Sequence, residues 1–143
     1  MLGWVMVCRD YVAQEMREAL EKETGPLAQC RVVNYSQGLS ANMLSRMLCD
    51  ALHETDSGRG VIFLTDENGG TPYRIAALLS HKHPNCEVIS GVTLALLSAA
   101  VGLRDTHSSE AFRLKIVELG GESVSSLWHQ QQKNPPFVLK RPL

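Results

Sequence analysis

A chain of 143 residues with 44% hydrophobic and 20% charged content has the length and composition of one ordinary globular domain with a real core. A formal net charge of −1, with no basic stripe and no interleaving of aromatic and basic residues, excludes nucleic acid as the expected partner. The longest strongly apolar run, Gly91 to Leu103, is too short to span a bilayer, and Met1-Leu-Gly-Trp4 lacks the basic start and apolar core of a signal peptide. The cytoplasm, with no membrane insertion, is the expected place.

Trp4 to Cys8 reads as a short apolar strand. Asp10 can cap the helix that follows, in which Val12, Met16, Ala19 and Leu20 form the inward stripe and Glu18 and Lys22 an i, i+4 pair. Gly25-Pro26 ends it. Arg31 to Tyr35 is a second strand. Ser40 caps a long amphipathic helix with Met43, Leu44, Met47, Leu48, Ala51 and Leu52 inward, closing near Ser57-Gly58. Val61 to Thr65 shows no period-2 alternation, which is how a parallel strand covered on both faces reads. Asn68-Gly69 is also a hairpin-turn signal, but Tyr73 to Ser80 has helical spacing, so strand, glycine turn and helix is the reading adopted. Thr71 is the expected N-cap and Pro72 the first helical residue of a helix running to about His83, stopped by Pro84.

Cys86 to Ser90 is a fourth strand, and Gly91 turns the chain into an apolar helix from about Thr93 to Arg104, with Leu94, Leu97, Ala100 and Val101 on one side. Its apolarity suggests burial, including burial in a subunit contact. Asp105 to Ser109 reads as a loop and Glu110 to Phe112 as the start of a short helical or irregular piece. Leu114 to Leu119 alternates and fits an edge strand before Gly120-Gly121. A last helix from about Glu122 to Gln132 leads into a tail. One domain over 1–132 and an extended tail over 133–143 are expected.

Four successive β-α units specify a parallel sheet with right-handed crossovers and helices on both faces, an α/β fold. In a small doubly wound sheet of order 2-1-3-4, the crevice opens between the carboxyl ends of the first and third strands. That sets Cys8-Arg9-Asp10 opposite Thr65-Asp66-Glu67-Asn68-Gly69-Gly70-Thr71. The turn brings a carboxylate beside free backbone N–H groups, where an anion can sit. Arg9 can bridge to Asp66 or hold an anion together with the N–H groups of the turn. Asp66 can orient a donor or accept a phosphoryl group as receiver carboxylates do, although the strand-end lysine of a receiver has no counterpart. Cys8 is either a strand-end nucleophile or, with no histidine near it in sequence, a core thiol. The four cysteines have no C-x-x-C spacing and read as buried free thiols. The five histidines are scattered, and His81 and His83 do not face one point, so neither a metal site nor a cofactor is expected.

Gly60-Val-Ile-Phe-Leu-Thr-Asp-Glu-Asn-Gly-Gly-Thr-Pro-Tyr73, followed by Glu87-Val-Ile-Ser-Gly-Val-Thr-Leu94, resembles the IIA component of the mannose class of bacterial sugar phosphotransferase systems (PTS). With Cys8-Arg-Asp10, Asn42-Met-Leu-Ser-Arg46 and Ser125 to Pro136, the chain is most similar to the IIA of N-acetylgalactosamine or galactosamine systems, over essentially its whole length. The resemblance implies a flavodoxin-like cytoplasmic phosphocarrier that takes a phosphoryl group from HPr onto a histidine and passes it to a IIB component. It also implies a homodimer made by exchanging an edge strand, here Leu114 to Leu119. Asp66 matches the aspartate that holds the histidine ring, and Gly69, Gly70 and Thr71 match the turn beside the phosphoryl group, in a pocket with Asp10, Thr65 and Asn68. At position 9, where the resemblance places the phosphorylated histidine, stands Arg9, which is no nucleophile at physiological pH. Two readings follow: an amino-sugar IIA phosphocarrier, or a non-phosphorylatable IIA-like regulator or decoy that acts by docking.

Overall fold

The computed structural model describes residues 1–133, so that the expected tail over 133–143 lies, apart from Lys133, outside the described residues. Strands β1 (Gly3–Arg9), β2 (Cys30–Tyr35), β3 (Val61–Leu64) and β4 (Cys86–Ile89) form one parallel sheet in the order β2-β1-β3-β4. Helices α1 (Val12–Thr24), α2 (Ala41–Thr55), α3 (Thr71–Ser80), α4 (Leu94–Ala100) and α5 (Ser109–Ser123) cover it, and α6 (Leu127–Lys133) follows. The expected doubly wound α/β fold and its strand order are therefore present.

The continuous apolar runs of the strands are explained by two cores. Trp4, Met6 and Cys8 of β1 and Ile62 and Leu64 of β3 point to one face, where α1, α4 and α5 bring Leu20, Leu97, Phe112 and Ile116. Val5 and Val7 with Val61 and Phe63 point to the other, against Leu44, Leu48 and Ala76 of α2 and α3. Alternate side chains of one strand thus bury in different layers, and period-2 polarity has no place. No helix among the described residues is long and apolar enough to cross a membrane.

Several local expectations are corrected. Leu114 to Leu119 is not an edge strand but part of α5, capped by Ser108, whose Oγ accepts from Ala111 N at 3.1 Å. Phe112 and Ile116, four residues apart, are buried on the sheet side, whereas Leu114 and Val117 face out. Gly120 and Gly121 lie inside this helix, and the last helix starts later than expected, at Leu127. Strand β4 is consequently an edge of the sheet among the described residues.

Asp10 does not cap α1: it takes φ 50° to make the turn out of β1, and Tyr11 stands at the N-cap with no side-chain cap bond. The i, i+4 ion pair on α1 is Arg17–Glu21, at 3.2 Å, rather than Glu18–Lys22. Met43 and Met47 of α2 are exposed, so its inward stripe is the narrower Leu44, Leu48, Ala51 and Leu52. Ser40 does cap α2, accepting from Met43 N at 3.1 Å. Gly70, not Thr71, is the N-cap of α3, which stops at Ser80. After α4, Val101–Arg104 tightens into a 3₁₀ turn. That turn delivers Arg104, 2% exposed, into the core. Its Nε donates to Leu2 O at 3.1 Å and its Nη2 to Ala28 O and Gln29 O at 2.7 and 2.9 Å.

Candidate functional site

The crevice forms because β1 and β3 part. Their pairing ends at Met6 and Leu64, while β1 continues beside β2 as far as Arg9 opposite Tyr35. The chain after β3 leans the other way: Thr65 N donates to Ile89 O at 2.8 Å, and Thr65 O accepts from Val92 N at 3.2 Å. The gap opens at the carboxyl ends of the strands, where the order reverses, the place such sheets hold ligands.

Asp66 closes this gap from one side and Arg9 from the other. The Asp66 carboxylate Oδ2 accepts from Arg9 N at 3.4 Å and lies 3.5 Å from Arg9 Nε. The two side chains differ in setting: Asp66 is 17% exposed and Arg9 71% exposed. The carboxylate is therefore a held part of the wall, and the guanidinium can leave it for an incoming anion. Asp10 N donates to Tyr35 O at 2.8 Å, and the Asp10 side chain enters no ion pair among the described residues. Thr65 is buried and its Oγ1 has no hydrogen-bond partner among the described residues. Of the expected pocket residues, Arg9 and Asp66 are brought into contact, and Thr65, Asn68, Gly69, Gly70 and Thr71 follow on the same turn.

That turn needs its first glycine. Gly69 takes φ +79°, a conformation an L side chain rarely adopts. Gly70 N donates to Glu67 O at 3.4 Å, and Gly70 then caps α3. Pro72 in the first turn has no N–H to satisfy, and the N–H groups of Gly69, Thr71 and Tyr73 have no hydrogen-bond partner among the described residues. Donors left free at the positive end of a helix dipole suit an anion.

Arg74 is a residue that the sequence reading missed. Its Nε donates to Gly69 O at 2.8 Å and pins the turn from the helix side. The available signal was a basic residue in the first turn of a helix, unfavourable to the dipole unless it has another task.

Cys8 is a core thiol. It is fully buried, and burial, aided by the Asp66 charge and opposed by a backbone hydrogen bond from Asp66, pushes it up to about 12. A thiol so protonated is no nucleophile at neutral pH. All four cysteines are free, but Cys49 and Cys86 are only half-buried. No histidine joins the crevice hydrogen bonds. His107 lies at the opposite pole, where its carbonyl accepts from Arg59 Nη2 at 3.3 Å just before β3 begins. His129 is on exposed α6, its ring against Ser126 Oγ at 2.6 Å. The remaining three belong to the far ends of α2 and α3, where His53 and His83, 30 positions apart in the chain, come together with Cys49. Spacing along the chain concealed that cluster.

Comparison with known proteins bears on this geometry. The profile of the EIIA-man family, described as PTS system fructose IIA component, matches residues 3–117. The Escherichia coli K12 protein YadI, whose name places it provisionally among phosphotransferase enzyme IIA components, is 66% identical over 143 residues, covering 100% of this chain and 98% of its own. The E. coli K12 PTS system mannose-specific EIIAB component is 27% identical over 118 residues, covering 82% of this chain but only 36% of its own length. The crystal structure of phosphotransferase system component EIIA from Streptococcus agalactiae matches with a TM-score of 0.81 and 22% identity, covering 90% of this chain and 99% of that one. At such identity the likeness speaks for the fold alone.

Proposed function

The chain belongs to the EIIA-man family of PTS system IIA components, and from that premise we propose that it holds an anion in the Arg9–Asp66 crevice and docks with phosphotransferase partners without relaying a phosphoryl group through position 9. The observation that carries this reading is Arg9 at the end of β1, in contact with Asp66. The family's acceptor histidine belongs at that position. A guanidinium stays protonated at physiological pH and has no lone pair to offer phosphorus, and His107 is at the wrong pole to substitute.

The partners are HPr and a IIB component by family role, and the setting is the cytoplasm. The sugar class is N-acetylgalactosamine or galactosamine, a choice supported by the local motifs in Gly60 to Tyr73 and Ser125 to Pro136. Two copies associate, for which exposed Leu114 and Val117 of α5 and Leu127 and Trp128 of α6 offer apolar surface. The phosphocarrier reading retains one support: Asp66 contacts the backbone of position 9, and the glycine turn that follows it leads into α3.

Intact mass after incubation with phosphoenolpyruvate, enzyme I and HPr tests the proposal, with Arg9→His alongside. The expected result is an acid-labile phosphoryl group on Arg9→His and none on the chain as it stands. A phosphoryl group on the parent chain sinks the reading of Arg9, and peptide mapping would then locate the acceptor. If neither protein gains one, the crevice has diverged beyond position 9 and the claim of a competent scaffold falls.

A further inference from the structure

We propose that Cys49, His53 and His83 form a binding site for a divalent transition metal of the zinc class, with three protein ligands and a fourth position open to solvent. One ligand atom from each lies within 4.8 Å of the others. Cys49 and His53 are i, i+4 on α2 and so share a face of that helix. His83 comes from the turn between α3 and β4, and its ring stands edge-on to that of His53, with centroids 5.5 Å apart and planes at 80°.

The donor set fits the metal. Thiolate sulfur and imidazole nitrogen are the ligands zinc prefers, and a tetrahedral site with bonds of about 2.0–2.3 Å sets ligand atoms roughly 3.3–3.7 Å apart. Closing from the observed separation asks for a small side-chain adjustment, which exposed His53 and half-buried His83 are free to make. None of the three side chains makes a hydrogen bond among the described residues, so no existing partner must be given up. The surroundings favour a cation as well: α2 ends at Thr55 and α3 at Ser80, so both helices present their carbonyl ends to this corner. Cys49 and His83 are half-buried and His53 is exposed, so the cluster is reachable from solvent.

The site is at the pole opposite the Arg9–Asp66 crevice, and it is independent of the function proposed for that crevice. A bound ion would tie the end of α2 to the turn before β4, joining two segments that are far apart in the chain. Its open position leaves room for a water or an anionic ligand.

The test uses the full chain, reduced and stripped with a chelator, then titrated with Co²⁺ as a spectroscopic probe and back-titrated with Zn²⁺. The expected result is one Co²⁺ per chain, with intense visible absorption of a tetrahedral field and a near-ultraviolet thiolate-to-cobalt band, both abolished by Zn²⁺. Cys49→Ser should lose the thiolate band, and His53→Gln and His83→Gln should each weaken binding at least about tenfold, the low end of what losing even an outer partner costs. Far-ultraviolet dichroism of the three variants checks that each is folded, and the rise in melting temperature on adding Zn²⁺ should be smaller in each variant than in the parent. Absence of the thiolate band in the parent overturns the proposal. Its persistence in Cys49→Ser, or unchanged affinity in either histidine variant, does so too, because the metal then sits elsewhere.

Discussion

Arg9 meets Asp66 at a single oxygen: Oδ2 takes the backbone N–H of residue 9 at 3.4 Å and faces its Nε at 3.5 Å. The backbone half of this contact persists whatever side chain stands at position 9. The side-chain half is largely exposed and so contributes little. Arg9→His and Arg9→Ala should therefore shift unfolding free energy by no more than about 0.5 kcal/mol. Asp66→Ala removes the acceptor itself and should cost about 1 kcal/mol. Urea unfolding of the three variants decides this, and a large loss in Arg9→Ala would show that the ion pair is structural.

Alkaline pH should weaken the fold through Cys8. Its thiol is raised from 9.0 to about 12 in the native state, first by burial. Between these values the unfolded chain loses a proton that the native chain keeps, so stability is full below about pH 9 and declines as pH rises toward 12. Cys30 and Cys86, also raised chiefly by burial, add in the same direction. Cys8→Ala should show a shallower loss across that window, whatever it costs at neutral pH. An identical slope in Cys8→Ala would contradict this account.

Arg104 should be the most costly charged residue to remove. Its donors serve three backbone carbonyls, of which Gln29 O also accepts from Trp4 N at 2.9 Å, and its guanidinium carbon lies 4.9 Å from the Trp4 ring centroid. Arg104→Met leaves Leu2 O and Ala28 O without this donor and should cost about 3 kcal/mol, read as a lower urea midpoint at unchanged slope. Arg104→Lys, with a compact cation in place of the fork, should recover only part of that.

Alanine substitution along α5 distinguishes a helix from a strand. Phe112 stacks edge-on against Trp4 with centroids 6.1 Å apart, and Phe112→Ala should cost about 3–5 kcal/mol. Leu114→Ala and Val117→Ala, on the wet side, should each stay within about 0.5 kcal/mol. If Leu114 and Ile116 proved equally costly, the alternating reading of this stretch would return.

The sheet order and the crevice were legible because the strand runs and the glycine turn repeat the same β-α unit, and the topology then fixes where the gap opens. Residues 114–119 form helix although they alternate, because so short an apolar alternation fits either period when two glycines follow. Burial of Phe112 and Ile116, and packing of Gly120 near Leu96, outweigh the helix-breaking cost of glycine. The spacing of Met43 and Met47 predicts them inward, yet both are exposed, because periodicity gives a stripe's direction but not its width. Arg104 and the Cys49–His53–His83 cluster were invisible for a common reason. Each depends on contacts between segments distant in the chain, which composition and local spacing do not encode.

The side chain at position 9 stands at the rim, outside both cores, and no folding contact of the sheet depends on it. Codons for histidine and arginine can differ by one base. On the reading of Arg9 proposed above, a gene of this kind can therefore pass between a relaying and a non-relaying form in a single mutational step that selection for foldability does not see, and the reverse step is equally open.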